Sequence, residues 1–570
     1  MEEILPRLLL KDYQEDRKER GIYDKRNPLN DLTGKEWLFS TKTIIPKDFP
    51  PVHPSHLRSR NFHPIPFELS KEIIETFSKP GELVLDPFAG IGSTLFGTHL
   101  SNIGFQNTPR KCIGLENNKR LITIFNHLSE TLTLSNQDML IGNPLDHLDS
   151  IRKNSIDFLF CDIPVWSING KNDVENYAMS YNLFCQTPKK AIEKWVSSLR
   201  VIFSKSIQKL KNLKYLVIAI PSEDIQESNE FESYSPSNFA LSSILAHYFQ
   251  SIGLVLKAER IWFKPNRNTK DIQFLESNRR FLVFRKEINT RLEQGNHSIF
   301  FDEKIPFGKT YIIHKSFPPS FSHKLRKQHG GMKPPELAEL LIQKYSQNNK
   351  DIILDPFVGV GGTLLGASLA KRRAIGIDIN ERWKEIYLHV SNENGLTPQK
   401  FFVNDSRVII DKEIKDESID LVLTDVPYWA MDKLKKTRGR FSKAGEESRG
   451  KLPSSLKQFN QSSVLTINEW LNLLEDVFSI CYRKLIPKKQ LIVFIGNMYR
   501  TMPEMIDGRK EKIGRYLMLS SKVAKILLNI GFKFESEIIW YSPDKALHVF
   551  GYPFSYIPSV VHQSILVFKK

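Results

Sequence analysis

LVLDPFAGIGSTLFG at residues 83–97 and IILDPFVGVGGTLLG at residues 352–366 are one phrase written twice in a single chain. Internal self-similarity of this kind is read before anything else, because it sets the number of structural units. The agreement extends well past the glycines. CIGLENN, with Glu116, answers AIGIDIN, with Asp378; FLFCDIPVW, with Asp162, answers LVLTDVPYW, with Asp425. YLVIAIPS (215–222) answers QLIVFIGN (490–497), SIGLVLKAERIWFKP (251–265) answers NIGFKFESEIIWYSP (529–543), and RFLVFRK (280–286) answers SILVFKK (564–570). Matched positions lie 269 residues apart at Asp86 and Asp355, 263 at Asp162 and Asp425, and 278 at Trp262 and Trp540. The order is conserved and the insertions are small, so the chain is expected to hold two copies of one domain.

The 570 residues divide accordingly. We expect an N-terminal extension over 1–50, a first domain over 51–290, a connecting segment over 291–321 and a second domain over 322–570. Each domain is long enough for its own core. A hydrophobic content of 41% with 25% charged residues is ordinary for a globular chain. The net charge of +17 is not, and points to a polyanionic partner, most simply nucleic acid. The four cysteines, Cys112, Cys161, Cys185 and Cys481, show no metal-ligand spacing and no disulfide framework. No metal site is expected. The first 20 residues are charged throughout and no run approaches 18 apolar residues, so we expect no export, no membrane partner and a cytoplasmic location.

Within each copy, short apolar runs rich in Val, Ile and Leu alternate with longer amphipathic stretches, the pattern of an α/β fold with a mostly parallel sheet flanked by helices. In the second copy DIILD, AIGID, KFFVND and IDLVLTD read as strands, with helices between them. A glycine-rich turn at a strand's carboxyl end lets a ligand approach the backbone. An acid at the next strand end, about 20 residues on, is placed to accept hydrogen bonds from ribose hydroxyls. Together these describe a site for an adenosine-containing cofactor. A dinucleotide fingerprint would be G-x-G-x-x-G; here the turn opens on an acid, Asp86 or Asp355, and carries no phosphate-binding lysine. A cationic ligand suits it better than an anionic one.

DPFVGVGGT, then IGIDIN, then TDVPYW resembles the S-adenosylmethionine-dependent amino-methyltransferases of DNA, which act on adenine-N6 or cytosine-N4. The resemblance covers roughly 51–285 and 322–570, and FHPIPFELSKEII (62–74) and HGGMKPPELAELLI (329–342) are similar to that family's cofactor-flanking helix. It implies two tandem class I, Rossmann-like methyltransferase domains with S-adenosyl-L-methionine as cofactor. The implied cofactor-binding residues are Asp355, Phe357, Gly359, Gly361, Thr363, Asp378 and Asp405 in the second copy. Asp86, Phe88, Gly90, Gly92, Thr94, Glu116 and Asn143 are their counterparts in the first. Asp405 and Asn143 occupy a position that in the family faces the cofactor adenine.

The family's catalytic loop reads [DNS]PP[YFW]. An exocyclic amine is a poor nucleophile because its lone pair is delocalised into the ring. The site must hold the NH₂ so that the lone pair faces the methyl group, with a carboxylate and a backbone carbonyl accepting the two N–H groups and an aromatic ring stacking on the flipped base. Asp425, the carbonyl of Val426 or Pro427, and Tyr428 supply these parts, with Val426 standing where the family has its first proline. Asp162 and Pro164 keep two of them in the first copy, but Val165 replaces the stacking ring, a loss worth about 1–3 kcal/mol. The second copy is therefore expected to be the main catalytic half, and a basic stretch over 431–460 to contact phosphates. His63, His329, His548 and His562 are read as surface or satisfied polar groups. No Pro-Cys nucleophile occurs, which argues against cytosine-C5 chemistry.

The expected function is methylation of an exocyclic amine in duplex DNA with a flipped target base, as the modification arm of a restriction-modification system with a cognate endonuclease. An RNA methyltransferase and a non-catalytic nucleic-acid-binding protein are the alternatives. The sequence leaves target base, recognition sequence and oligomeric state open.

Overall fold

The computed structural model describes residues 23–50, 64–103, 108–164, 188–220, 237–265, 272–274, 278–287, 308–427, 429, 466–506, 509–545, 547 and 549–570. The first half contributes strands β1 (Ile44–Pro46), β2 (Leu83–Asp86), β3 (Lys111–Glu116), β4 (Gln137–Ile141), β5 (Ile156–Asp162), β6 (Leu210–Ile220), β7 (Leu254–Phe263), β8 (Gln273–Phe274) and β9 (Asn278–Lys286). The second contributes β10 (Lys309–His314), β11 (Ile352–Asp355), β12 (Arg373–Asp378), β13 (Lys400–Val403), β14 (Ile419–Asp425), β15 (Leu485–Ile495), β16 (Met498–Ile506), β17 (Arg509–Leu517), β18 (Lys533–Tyr541) and β19 (His562–Lys569).

Two sheets of matching order result. The first runs β1-β7-β9-β6-β5-β2-β3-β4, the second β13-β12-β11-β14-β15-β19-β18-β10-β8. Strand β9 lies antiparallel between β6 and β7, and β19 antiparallel between β15 and β18; the strands on the cofactor side of each sheet are parallel. This is the class I methyltransferase arrangement, present twice. Burial on both faces explains the unbroken apolar runs: IDFLFC of β5 is buried at every residue. Apolar cores cover both faces of each sheet. The order reverses at β2, which pairs with β3 on one side and β5 on the other, and at β11, between β12 and β14. Such switch points open a crevice at the carboxyl ends of the strands.

Ile44–Pro46, inside the stretch read as an extension, is strand β1, parallel to β7; Lys309–His314, inside the connecting segment, is β10, parallel to β18. Each copy of the repeated unit thus carries one further parallel strand. Trp262 donates its indole N–H to the Lys47 carbonyl at 2.9 Å and Trp540 to the Lys315 carbonyl at 3.1 Å, tying the chain just past each of these strands down in the same way.

The halves also exchange segments. β8 of the first half pairs antiparallel with β10 of the second. In return, Ser559 bridges to Lys42, accepting from Thr43 N at 3.1 Å and donating to the Thr41 carbonyl at 2.9 Å. At the seam Arg280 pairs with Glu259 at 3.0 Å and with Glu537, and Ser564 donates to Glu537 at 2.7 Å. Glu259 and Glu537 are matching positions of the two copies, so one buried arginine neutralises an acid from each half. Removing one member of such a buried network leaves an uncompensated charge.

Candidate functional site

Both cofactor loops are built alike. Asp86 ends β2 and accepts from Phe88 N at 2.9 Å and from Thr94 Oγ1 at 2.6 Å. Asp355 ends β11 and accepts from Phe357 N at 3.0 Å and Thr424 Oγ1 at 2.7 Å, with Thr363 also bonding to it. Both carboxyls are buried, which pushes each up to about 7 despite those hydrogen bonds. Thr94 and Thr363 therefore brace the acid from the first turn of the following helix. Phe88 packs into the first core beside Phe203, and half-buried Phe357 lies edge-on to Phe478.

The turn needs glycine for a steric reason. Gly92 and Gly361 have φ of 86° and 77°, and a Cβ there would stand 2.5 Å from the Phe125 ring or 2.2 Å from the Tyr387 ring. Gly90 and Gly359 offer their amides to the acid of the next strand. Glu116 accepts from Gly90 N at 2.9 Å, and Asp378 from Gly359 N at 3.1 Å. Glu116 also takes the Asn117 and Asn118 amides, and Asp378 the Asn380 amide. Burial raises both acids, Asp378 to about 6. The glycine loop and the acid of the next strand thus form one joined unit in each half.

Asn143 and Asp405 are the N-caps of the next helices, accepting from Leu145 N at 3.1 Å and Arg407 N at 2.8 Å. Asp405 is also paired with the Arg407 guanidinium at 2.7 Å, whose hydrogen bond holds its carboxyl below the usual range. Beside these acids the second half exposes two apolar side chains that sequence reading passed over, Ile379 (60%) and Val408 (55%). Ile379 directly follows Asp378, and Val408 lies three residues after Asp405. Asn117 stands where Ile379 does in the first half.

The catalytic loops differ in the cation set against the acid. Asp162 is paired with Arg279 Nη1 at 2.9 Å; that guanidinium also donates to the Ile220 carbonyl at 3.3 Å. Burial outweighs the arginine and lifts Asp162 to about 6. Asp425 is paired with Lys333 Nζ at 2.5 Å, and the same ammonium lies 5.8 Å from the centre of the Phe494 ring. Arg279 comes from β9 and Lys333 from the residue before Pro334–Pro335, just ahead of the helix Pro335–Tyr345. Their positions do not correspond: Ile65 stands where Lys333 does, and Gln563 where Arg279 does. Lys333 lies in a stretch whose repeat was visible, and a lysine beside Pro-Pro at a helix start was the available signal. Arg279 had none.

Each loop is held from behind by a tryptophan that sequence reading also missed. Trp195 donates to the Pro164 carbonyl at 3.3 Å and Trp470 to the Pro427 carbonyl at 2.7 Å. The Pro427 oxygen thus already accepts one hydrogen bond. Tyr428, Val165 and Trp166, the basic stretch over 431–460, His63 and His548 lie outside the described residues. Trp429 is buried, with the Arg500 guanidinium 4.9 Å from its ring centre. His329 packs edge-on against Trp383, and His562 bonds Thr43 Oγ1 at 2.9 Å; burial pushes them to about 4 and about 3, so both are neutral. Among the described residues no His, Cys, Asp and Glu group could hold a metal, and no helix is long and apolar enough to cross a membrane.

Two acid-led glycine loops, each joined to the acid at the end of the next strand and followed by an Asp-x-Pro turn, define a tandem S-adenosylmethionine-dependent methyltransferase fold. The profile of the N6_N4_Mtase family, described as DNA methylase, matches residues 4–127, 156–389 and 419–570, and the chain belongs to that family. Among curated proteins, the tRNA (guanine(10)-N2)-dimethyltransferase of Methanothermobacter thermautotrophicus is 32% identical over 117 residues, 20% of this chain and 34% of that protein. The Type II methyltransferase M.MthZI of the same species is 29% identical over 153 residues, 26% of this chain and 34% of that protein. The chain spans about a third of the length of these relatives. Among solved structures, TrmN from Thermus thermophilus aligns at 15% identity with a TM-score of 0.26, covering 43% of this chain and 52% of that one.

The cofactor of the family is S-adenosyl-L-methionine, and the residues present fit it. The linked Gly359–Asp378 and Gly90–Glu116 units would hold the ribose edge, and Ile379 and Val408 would flank the adenine.

Proposed function

We propose that the second half transfers a methyl group to an exocyclic amine of a DNA base, adenine-N6 or cytosine-N4, and that the first half keeps a cofactor site without equal catalytic capacity. The observation that carries this is the Asp425 turn. Its acid is fixed by Lys333 and its Pro427 carbonyl is pinned by Trp470; the Val426 carbonyl is the proposed acceptor of an N–H. S-adenosylmethionine, when bound, supplies an electrophilic methyl. The protein's part is orientation: Asp425 and the Val426 carbonyl take the two N–H groups, turning the lone pair out of the ring's conjugation and toward the methyl. Tyr428 is the proposed stacking surface for a base taken out of the duplex.

Asp425, Pro427 and Tyr428 form the proposed catalytic set, with Asp162 and Pro164 as its weaker counterpart. The DNA family and the Type II methyltransferase relatives support DNA as the substrate; a modification enzyme with a cognate endonuclease is the proposed setting. The two tRNA guanine-N2 dimethyltransferases among the matched relatives support structured RNA as a second reading. Labelled S-adenosylmethionine offered with unmethylated duplex DNA and, separately, with transcribed tRNA decides between them. Label is expected in DNA adenine or cytosine; label in tRNA alone overturns the DNA reading.

A further inference from the structure

The catalytic loop of the second half is held from two directions. Trp470, from its own half, bonds the Pro427 carbonyl at 2.7 Å. On the other side Arg500 of β16 stacks over buried Trp429 at 4.9 Å. Arg500 sits at the base of the β16–β17 hairpin, where the ladder pairs it with Arg515 and pairs Thr501 with Gly514. That base spans both halves. Met498 and Leu517 pack with the second core, whereas Tyr516, Met518 and Tyr499 pack with the first.

One polar contact fixes the crossing. Lys257 of β7, in the first half, donates to the Gly514 carbonyl at 2.7 Å. Lys257 is itself buried and paired with Glu287 at 3.1 Å, and Glu287 is paired with Arg285 at 2.7 Å. Gly514 lies so close under Tyr499 that a Cβ would stand 2.0 Å from its hydroxyl. One carbonyl, one ladder step and one cation–π contact therefore separate a strand of the first half from the residue that follows Tyr428.

We propose that the first half is a positioning element for the second half's reaction: Lys257 sets the hairpin base, and Arg500 thereby holds Trp429 and the Asp425–Pro427 turn in the geometry the amine requires. This rests on the reading that Asp425 marks the catalytic half. Neither Lys257 nor Arg500 touches base or cofactor; both act through the loop. The sensitivity is chemical, because a displacement near 1 Å in an aligned site costs up to about a hundredfold in rate.

The test uses the full chain as Lys257→Met, Arg500→Met, Arg500→Lys and the Met/Met double variant, with Asp425→Asn as reference. Hydrogen exchange of the backbone amides at 426, 428 and 429 reads loop order without any substrate. Methyl transfer to unmethylated duplex DNA and to transcribed tRNA reads kcat and KM. Each Met variant is expected to raise exchange at those amides and lower kcat about thirtyfold, the size of a desolvated cation–π contact, with the KM for S-adenosylmethionine unchanged. Arg500→Lys should recover most of the loss, and the double variant should be no worse than the worse single, because the two residues act in series. A folded Arg500→Met chain with wild-type exchange and kcat overturns the proposal, as do losses that add in the double variant. If Lys257→Met does not fold, Arg500→Met and Arg500→Lys carry the test alone. Asp425→Asn separates the two ideas: full activity there refutes the catalytic assignment while exchange still judges the hairpin. An inactive Asp425→Asn beside an unchanged Arg500→Met refutes the hairpin alone.

Discussion

In the first half the Asp162 turn faces a guanidinium from β9; in the second the Asp425 turn faces an ammonium from the approach to a helix. The cofactor loops behind these turns are nearly superimposable in their bonding, acid to amide, threonine to acid, glycine to the acid of the next strand. The contrast teaches where divergence was tolerated. A loop whose glycines sit against aromatic rings allows little change. An acid at a strand end accepts any cation that reaches it, and the cation chosen alters what the acid can do. Arg279 Nη1 is shared between Asp162 Oδ1 and the Ile220 carbonyl, so the guanidinium ties that acid to the end of β6. Lys333 is a compact ammonium on a flexible stem, donating to Asp425 Oδ2.

The largest effect should separate the halves outright. Asp425→Ala is expected to lower methyl transfer by at least about a hundredfold, the usual cost of losing one oriented polar group in an active site. Asp162→Ala should leave most of the activity. Equal losses would break the comparison and make both halves enzymes.

Exchanging the cations sharpens it. Lys333→Ile with Gln563→Arg gives the second half the first half's arrangement, and its kcat should drop by roughly tenfold or more while cofactor binding, followed by calorimetry, stays intact. Recovery of full rate would show that the identity of the cation is immaterial.

Gly361→Ala places a methyl against the Tyr387 ring at a φ of 77°, and Gly92→Ala does the same against Phe125 at 86°. Each should cost about 3 kcal/mol, strain and overpacking together, seen as a lower thermal midpoint, and each should abolish one of two cofactor-binding events. A single binding event in the unaltered protein would show that only one loop is loaded.

The smallest effect concerns pH. Burial holds the Asp86 and Asp355 carboxyls near 7, so below that pH each is neutral in the empty protein. A cationic ligand favours the ionised form, and binding then requires loss of a proton. Affinity for S-adenosylmethionine should therefore fall as pH drops from 8 to 6, by up to about tenfold per unit below 7. A flat profile would mean that these acids brace the loop and never face the ligand's charge.

The duplication, the cofactor loops, Glu116 and Asp378, and both Asp-x-Pro turns were legible because each is a local pattern whose chemistry requires particular residues at short spacing. Lys333 and Arg279 were not, since they reach their acids from 92 and 117 residues away. The engagement of the Pro427 carbonyl by Trp470, 43 residues on, was hidden for the same reason, whereas the caps Asn143 and Asp405 bond amides two residues on and were local signals.

By itself the sequence determined that this chain is two copies of a methyltransferase domain and that one copy has Val165 where the other has Tyr428, because strand burial, glycine turns and acid placement are written in contiguous residues. Only the tertiary structure decided that β9 and β19 run antiparallel inside their sheets, that each half lends a segment to the other, and that the β16–β17 hairpin reaches from Lys257 of the first half to Trp429 of the second. Those choices depend on which surfaces meet once both cores have closed.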